Sequence, residues 1–353
     1  LAQTGVVAIG KDAYGSATSG DQNTAVGWTS LATTSGHRNV AVGSYAINAD
    51  CVNDNVAIGN AALNSSTGSN ATAVGSGAAT AATSATFLTA VGKDAAGAVT
   101  DSEEHTAVGY GALANCTTGD KNTAIGAFAG HASFLGSGNA FLGNNAGFYT
   151  ATTDDCIAIG RNAMLGATTS ISCTTQAGGV ANRVSVSSNT TIATGQLITG
   201  ADIPAGTTVG SAVTGSFGVD LTVFEISQNA TGASTATRVF YTNTGDNNVA
   251  IGSQAGKDMT SGTDNIIVGS DAGKNLTTAT SNVLIGRNAG TNLTVGINNI
   301  VIGGYALDAA NTETDKNYNI AIGQAALGAA THTTEYNVAI GHNALALQTG
   351  DNV

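Results

Sequence analysis

Five histidines, four cysteines and a few acidic pairs are the residues of this chain that could do chemistry, and their spacing works against it. His37, His105, His131, His332 and His342 form neither an HxH nor an HExxH pattern, and the turn segments around His37 and His332 read as solvated. Glu103-Glu104 and Asp154-Asp155 have the residue type of a glycosidase acid and base, but neighbours on an extended chain point to opposite faces. A carboxylate pair assembled between chains is the arrangement left open. Gly256-Lys257 and Gly273-Lys274 precede Asp and Asn rather than the Ser or Thr of a phosphate loop, and no GxSxG or dinucleotide-binding glycine pattern occurs. Asp21, Asp120, Asp246 and Asp264 recur in one turn, as Ca²⁺ ligands would, yet turn chemistry also accounts for them and the nonapeptide signature of calcium rolls is missing. Cys51, Cys116, Cys156 and Cys173 show no CxxC; Cys156 and Cys173, 17 residues apart, are spaced to stack on adjacent coils, with four free thiols as the simpler reading. Asn-x-Ser/Thr triplets start at Asn64, Asn70, Asn115, Asn189, Asn229, Asn275 and Asn292, as a chain rich in Asn and Thr makes inevitable. Scattered rings, among them Trp28, Tyr45, Tyr110, Phe128, Phe148, Tyr149 and Tyr305, offer either sugar-stacking faces or packing at coil ends. The expectation is a chain that is not an enzyme and carries no cofactor and no metal.

What positions these residues is a repeat. The segment 122–138, NTAIGAFAGHASFLGSG, is followed at once by NAFLGNNAGFYTATTDD, and the shared unit is Asn-x-Ala-(Val/Ile)-Gly-x-x-Ala. Its glycine falls at 10, 27, 43, 59, 75, 92, 109, 126, 143 and 160, then again at 252, 269, 286, 303, 323 and 341, almost always 16 or 17 residues apart. A short fixed period is the signature of a solenoid, in which length counts coils rather than domains. The low charged fraction, 10%, would suit disorder in a chain without that period, but a strict apolar repeat argues that each unit is ordered by its neighbours. A net charge of -12 without a basic cluster removes the electrostatic basis for nucleic-acid binding. No run of 18 apolar residues is present, so no membrane insertion is expected in this segment. The start at Leu1 and the stop inside a further repeat read as a piece of a longer protein.

Alternation in Asn-x-Ala-(Val/Ile)-Gly predicts a strand with successive side chains on opposite faces. The residue before the glycine is Val or Ile in every copy but Leu142, while the column two before it is Ala in most copies and Phe141, Ile267, Leu284 and Val301 in others. Apolar on both faces implies covered on both faces, and the most economical cover is a second copy of the chain. Phe141, Ile267, Leu284 and Val301 are therefore expected to line a homotrimer interface. The glycines Gly27, Gly43, Gly59, Gly126, Gly143, Gly252, Gly269, Gly286, Gly303, Gly323 and Gly341 mark one corner of each coil, and Thr-Gly-Asp clusters the return. After the corner a second short strand or bend is expected. Asn23, Asn39, Asn55, Asn122, Asn139, Asn248, Asn265, Asn282, Asn299, Asn319 and Asn337 open the strands and are expected to stack as an amide ladder. Residues 1–166 then hold ten coils and 244–353 six more, around an insertion at 167–243 whose apolar runs at 184–186, 197–198, 219–226 and 238–241 read as short antiparallel strands, with Pro204 in a turn.

NTAVG, NVAVGSYAI, NVAIGNAAL and NTAIGAFAG resemble the head repeats of trimeric autotransporter adhesins and, with their longer period and Thr-Thr-Gly turn, repeats of bacteriophage tail fibres. The resemblance implies an all-β fold: a left-handed, β-roll-like parallel solenoid of about 17 residues per coil in a homotrimer, with a small inserted β module. It also implies a structural and adhesive role on a virion or, alternatively, a bacterial surface or extracellular filament, with a bacterial glycan or protein receptor as partner. A polysaccharide-depolymerising tailspike is the remaining reading.

Overall fold

In a computed structural model of the chain, the description covers residues 4–346 apart from 18, 34–35, 102, 134, 151, 167, 309–316 and 329–334, and between 168 and 244 it covers the six strands alone. Pro204, Asn189, Asn229 and His332 lie outside the described residues, as does the end of the chain. The expected solenoid is there. Sixteen three-residue strands, from Val7–Ile9 to Val338–Ile340, form one parallel sheet in strict chain order. At the usual spacing of about 4.8 Å between strands the sheet runs roughly 70 Å.

The two arrays are one sheet. Ile157–Ile159 pairs directly with Val249–Ile251, in the same register as every other step, so the chain leaves the rod after one coil and re-enters on the next. Asp154 donates its N–H to Asp246 Oδ1 at 3.0 Å across that junction. The intervening strands Thr168–Thr175, Arg183–Ser187, Leu197–Thr199, Val209–Val213, Leu221–Ile226 and Thr235–Tyr241 pair antiparallel. Four of the six coincide with the expected apolar runs. The first and fourth, TTSISCTT and VGSAV, were hidden in the sequence by Ser, Thr and Gly.

Past each strand the glycine turns the chain with φ between +125° and +141°, a region closed to side-chain-bearing residues. The wall that follows is a bend, not a second strand. Its second and fourth residues adopt left-handed backbone in most coils, as at Tyr45 (φ 56°) and Ile47 (φ 48°). These angles are held by bonds to both neighbouring coils: Tyr45 donates to Trp28 O at 3.0 Å and Ile47 to Ala62 O at 3.0 Å.

The interior corrects the assignment of faces. The middle strand residue points inward: Ala25, Ala41, Ala57 and Ala124 are fully buried, and so are Phe141, Ile267, Leu284 and Val301, all at 0% exposure within the single chain. These four cannot line an interface. The column before the glycine points outward instead. The reason is thinness: the opposite wall presses an Ala and then a Leu, Ile or Met against the strand, leaving room for little more than a methyl group.

Where the strand centre is Phe, Ile or Leu the facing wall gives way, whereas the smaller Val301 keeps Leu307 opposite it. Ala57 faces a coil with Leu63 and Ala107 one with Leu113, whereas Phe141, Ile267 and Leu284 belong to coils carrying Gly147, Gly273 and Gly290 at that position. A Cβ on Gly130 would lie 2.7 Å from Phe141 Cδ2, so the preceding coil makes room as well. Truncating Phe141→Ala should cost about 3–5 kcal/mol. Leucine is accommodated at this wall position in left-handed backbone elsewhere (Leu113, φ 49°), so Phe141→Ala with Gly147→Leu should recover part of that loss. A double-mutant cycle by urea unfolding measures the coupling, and strict additivity would refute the volume exchange.

Candidate functional site

The groups singled out for chemistry are mostly structural in this setting. Glu103 donates its backbone N–H to Asp120 Oδ1 at 2.9 Å, while the adjacent Glu104 sits in left-handed backbone (φ 60°). Asp154 accepts from Ser137 N–H at 2.7 Å, and Asp155 is again left-handed (φ 53°).

The recurring aspartates form a ladder. Asp21, Asp120, Asp154 and Asp246 each accept a backbone N–H from the coil before: from Thr4, Glu103, Ser137 and Asp154. They bond across coils rather than within their own turn. Asp264 stands apart, accepting from Asn247 Nδ2 at 3.2 Å. No group of three or more His, Cys, Asp or Glu close enough to hold a metal ion occurs among the described residues.

The asparagine column is a second ladder, reaching the opposite way. Asn265 Oδ1 accepts both the N–H and the Nδ2 of Asn282, at 3.1 and 3.0 Å, and its own Nδ2 donates to Asn248 Oδ1 and Ala279 O. The pattern recurs from Asn39 to Asn55, from Asn122 to Asn139, and on through Asn299, Asn319 and Asn337. Asn23 begins it by accepting from Asn39 N–H. The amides are buried and their donors and acceptors matched. Ala71 and Leu88 replace two rungs with apolar packing, and His105 and Cys156 replace two more.

His105 does an amide's work with a ring: its Nδ1 accepts the N–H of Asn122 at 3.2 Å, and Nε2 lies 3.9 Å from Cys116 Sγ. Burial pushes its pKa below the ordinary imidazole range, and Nδ1 can accept only while unprotonated. The unfolded chain therefore binds the proton more readily. Stability supplied by this rung is complete above about pH 6.5 and is lost as pH falls from there toward the lowered folded value. Thermal melts between pH 7.5 and 5 should show that loss, and His105→Asn should remove that component. An unchanged pH dependence in the variant would exclude His105 as its source.

Two of the thiols are held protonated by burial. Burial pushes Cys116 up to about 12 and Cys156 to about 11, so neither is a nucleophile at neutral pH. Cys51, Cys116 and Cys156 are buried.

What the coils do present outward is two unlike surfaces. The strand wall carries aliphatic side chains along the rod: before the glycine, Ile58, Ile125, Leu142, Ile285, Ile302 and Ile340 are exposed, from 37% at Leu142 to 67% at Ile340, while Val26, Val42, Val74, Val91, Val108 and Val268 are only partly so. Across the glycine corner, the bend wall carries aromatic rings: Trp28 on Tyr45 at 4.9 Å, Tyr110 on Phe128 at 4.8 Å and Phe128 near Phe148 at 6.0 Å. The ion pairs among the described residues are at least partly exposed, Arg38 with Asp54 at 2.6 Å among them. Among the described residues no helix is long and apolar enough to cross a membrane. Compared with known proteins, the chain matches no family model, no curated protein and no solved structure.

Proposed function

We propose that the chain is a structural and adhesive fibre segment, a shaft of a bacteriophage tail fibre in which three copies run side by side, with the strands inserted at 167–243 forming a lateral β module. One observation carries the reading: a partly exposed Val/Ile column lies on the outside of a continuous sixteen-stranded sheet. A stripe of aliphatic surface that long is costly in water and marks a face that another chain covers. A three-fold arrangement hides one such stripe on each of three chains about a common axis, as in the adhesin heads that the repeat resembles. The protonated Cys116 and Cys156 and the backbone-capping Asp21, Asp120, Asp154 and Asp246 favour a role without catalysis.

Light scattering on the purified chain tests this. The expected mass is three times 34.5 kDa, and Ile285→Glu with Ile302→Glu should lower it by placing charge in the interface. A monomeric mass at micromolar concentration overturns the proposal.

A further inference from the structure

Aromatic residues make up only 5% of the chain, yet several gather on the bend wall of three successive coils. Tyr110 meets Phe128 edge-on at 4.8 Å, Phe128 lies 6.0 Å from Phe148, and Phe148 meets Tyr149 edge-on at 4.5 Å. His131 stacks on Phe148 at 4.7 Å with the planes 10° apart. The rings climb one coil at a time, so the strip runs along the rod. Tyr110 is 48% exposed, and the other rings are partly so.

Core packing does not explain the strip, because the wall residues that fill the coil interior are others: Leu113, Ala129 and Ala146. Nor does it match the aliphatic face around the corner, which has the composition of a chain-to-chain contact. Its rim carries amides and, at Tyr110, the Lys93 ammonium, 5.4 Å from the ring centroid. Asn115 Nδ2 lies 3.3 Å from His131 Nδ1, and Asn145 Nδ2 donates to Asn162 Oδ1 at 3.1 Å. Ring faces bordered by amides and a single ammonium suit a ligand with weakly positive C–H faces and hydroxyl edges. The net charge of -12, without a basic cluster, disfavours polyanions.

We infer that Tyr110, Phe128 and Phe148 form a stacking platform for a linear neutral polysaccharide laid along the rod, with His131 and the flanking asparagines meeting its hydroxyls. A periodic ligand suits a periodic strip: each sugar unit finds a ring one coil further on. The inference rests on the reading of the rod as an adhesive shaft and names the chemistry it would adhere to.

Native gel electrophoresis of the 353-residue chain through gels containing dextran, mannan or galactan tests it. At least one polysaccharide should retard the chain, and Tyr110→Ala and Phe148→Ala should each weaken that retardation at least tenfold. Tyr336→Ala, a ring exposed elsewhere on the rod, should leave it unchanged. Tyr110→Ala carries the test if Phe148→Ala unfolds, since Tyr110 is half exposed. No retardation by any of the three, or retardation of both strip variants equal to that of the unsubstituted chain, overturns the inference. Light scattering on the same samples separates the two ideas: trimers without retardation sink the platform alone, and retarded monomers sink the fibre alone.

Discussion

Gly126→Val is expected to cost at least about 3 kcal/mol and to break the rod at that coil. Two independent penalties coincide there. Gly126 has φ +136°, where a β-branched residue is strained by its own backbone. A Cβ at Gly126 would also lie 2.6 Å from the carbonyl oxygen of Gly143 in the next coil, a backbone atom fixed by the sheet. Relieving the contact means separating the coils, which breaks the parallel ladder between Thr123–Ile125 and Ala140–Leu142. Because each coil touches mainly its neighbours, the damage is local and divides the array. Thermal unfolding should change from one transition to two, and limited proteolysis should cut near residue 126. Gly304→Ala is the control: a Cβ there meets nothing nearer than 3.7 Å, so its melting curve should be nearly unaltered. Equal effects of the two substitutions would refute the account of the corner.

Much of this architecture is legible in the sequence, and the misreading has a specific cause. The glycine column declares the corner, the asparagine column the ladder, and the 16 or 17 residue step the stacking, because each is imposed by contact with an identical neighbour. Which strand face is inside is not declared by hydrophobicity, since Ala and Val are both apolar. The signal lay in a correlation between columns: the strand centres Phe141, Ile267 and Leu284 go with Gly147, Gly273 and Gly290, while Ala57, Ala107 and Ala321 go with Leu63, Leu113 and Leu327. Volume exchange of that kind occurs only between residues sharing one cavity, so it identifies the inward face. The aspartate ladder escaped notice for a different reason. Its rungs alternate among Asp21, His37, Asn53, Asp120, Ser137, Asp154 and Asp246, which share a capacity to bond a backbone N–H rather than a residue name. Left-handed backbone at Tyr45, Leu63 or Phe128 was likewise invisible, because inter-coil bonds rather than local preference hold it.

Asn265→Leu should be nearly as damaging as the glycine substitution, at roughly 4 kcal/mol, although leucine is close in size and occupies the same column at Leu88. The difference lies in the neighbours. Leu88 follows Ala71, which has no side-chain oxygen in need of a donor. Asn265 stands between two amides. Its loss deprives Asn282 N–H of its 3.1 Å acceptor and Asn282 Nδ2 of one acceptor, and it removes the donor to Asn248 Oδ1 and Ala279 O. Each buried polar group left unmatched costs about 1–3 kcal/mol. Urea unfolding should show the loss, and exchange of the Asn282 amide hydrogen should accelerate more than that of Asn319, two rungs further on. Asn265→Asp separates acceptor from donor. The carboxylate still accepts from Asn282, but it cannot donate to Asn248, and burial in this column raises its folded pKa. A raised value means stability that is present at low pH and lost as pH rises through it, so this variant should recover on acidification whereas Asn265→Leu should not. Recovery in neither variant would mean that the donor is dispensable and that the ladder works through its acceptors alone.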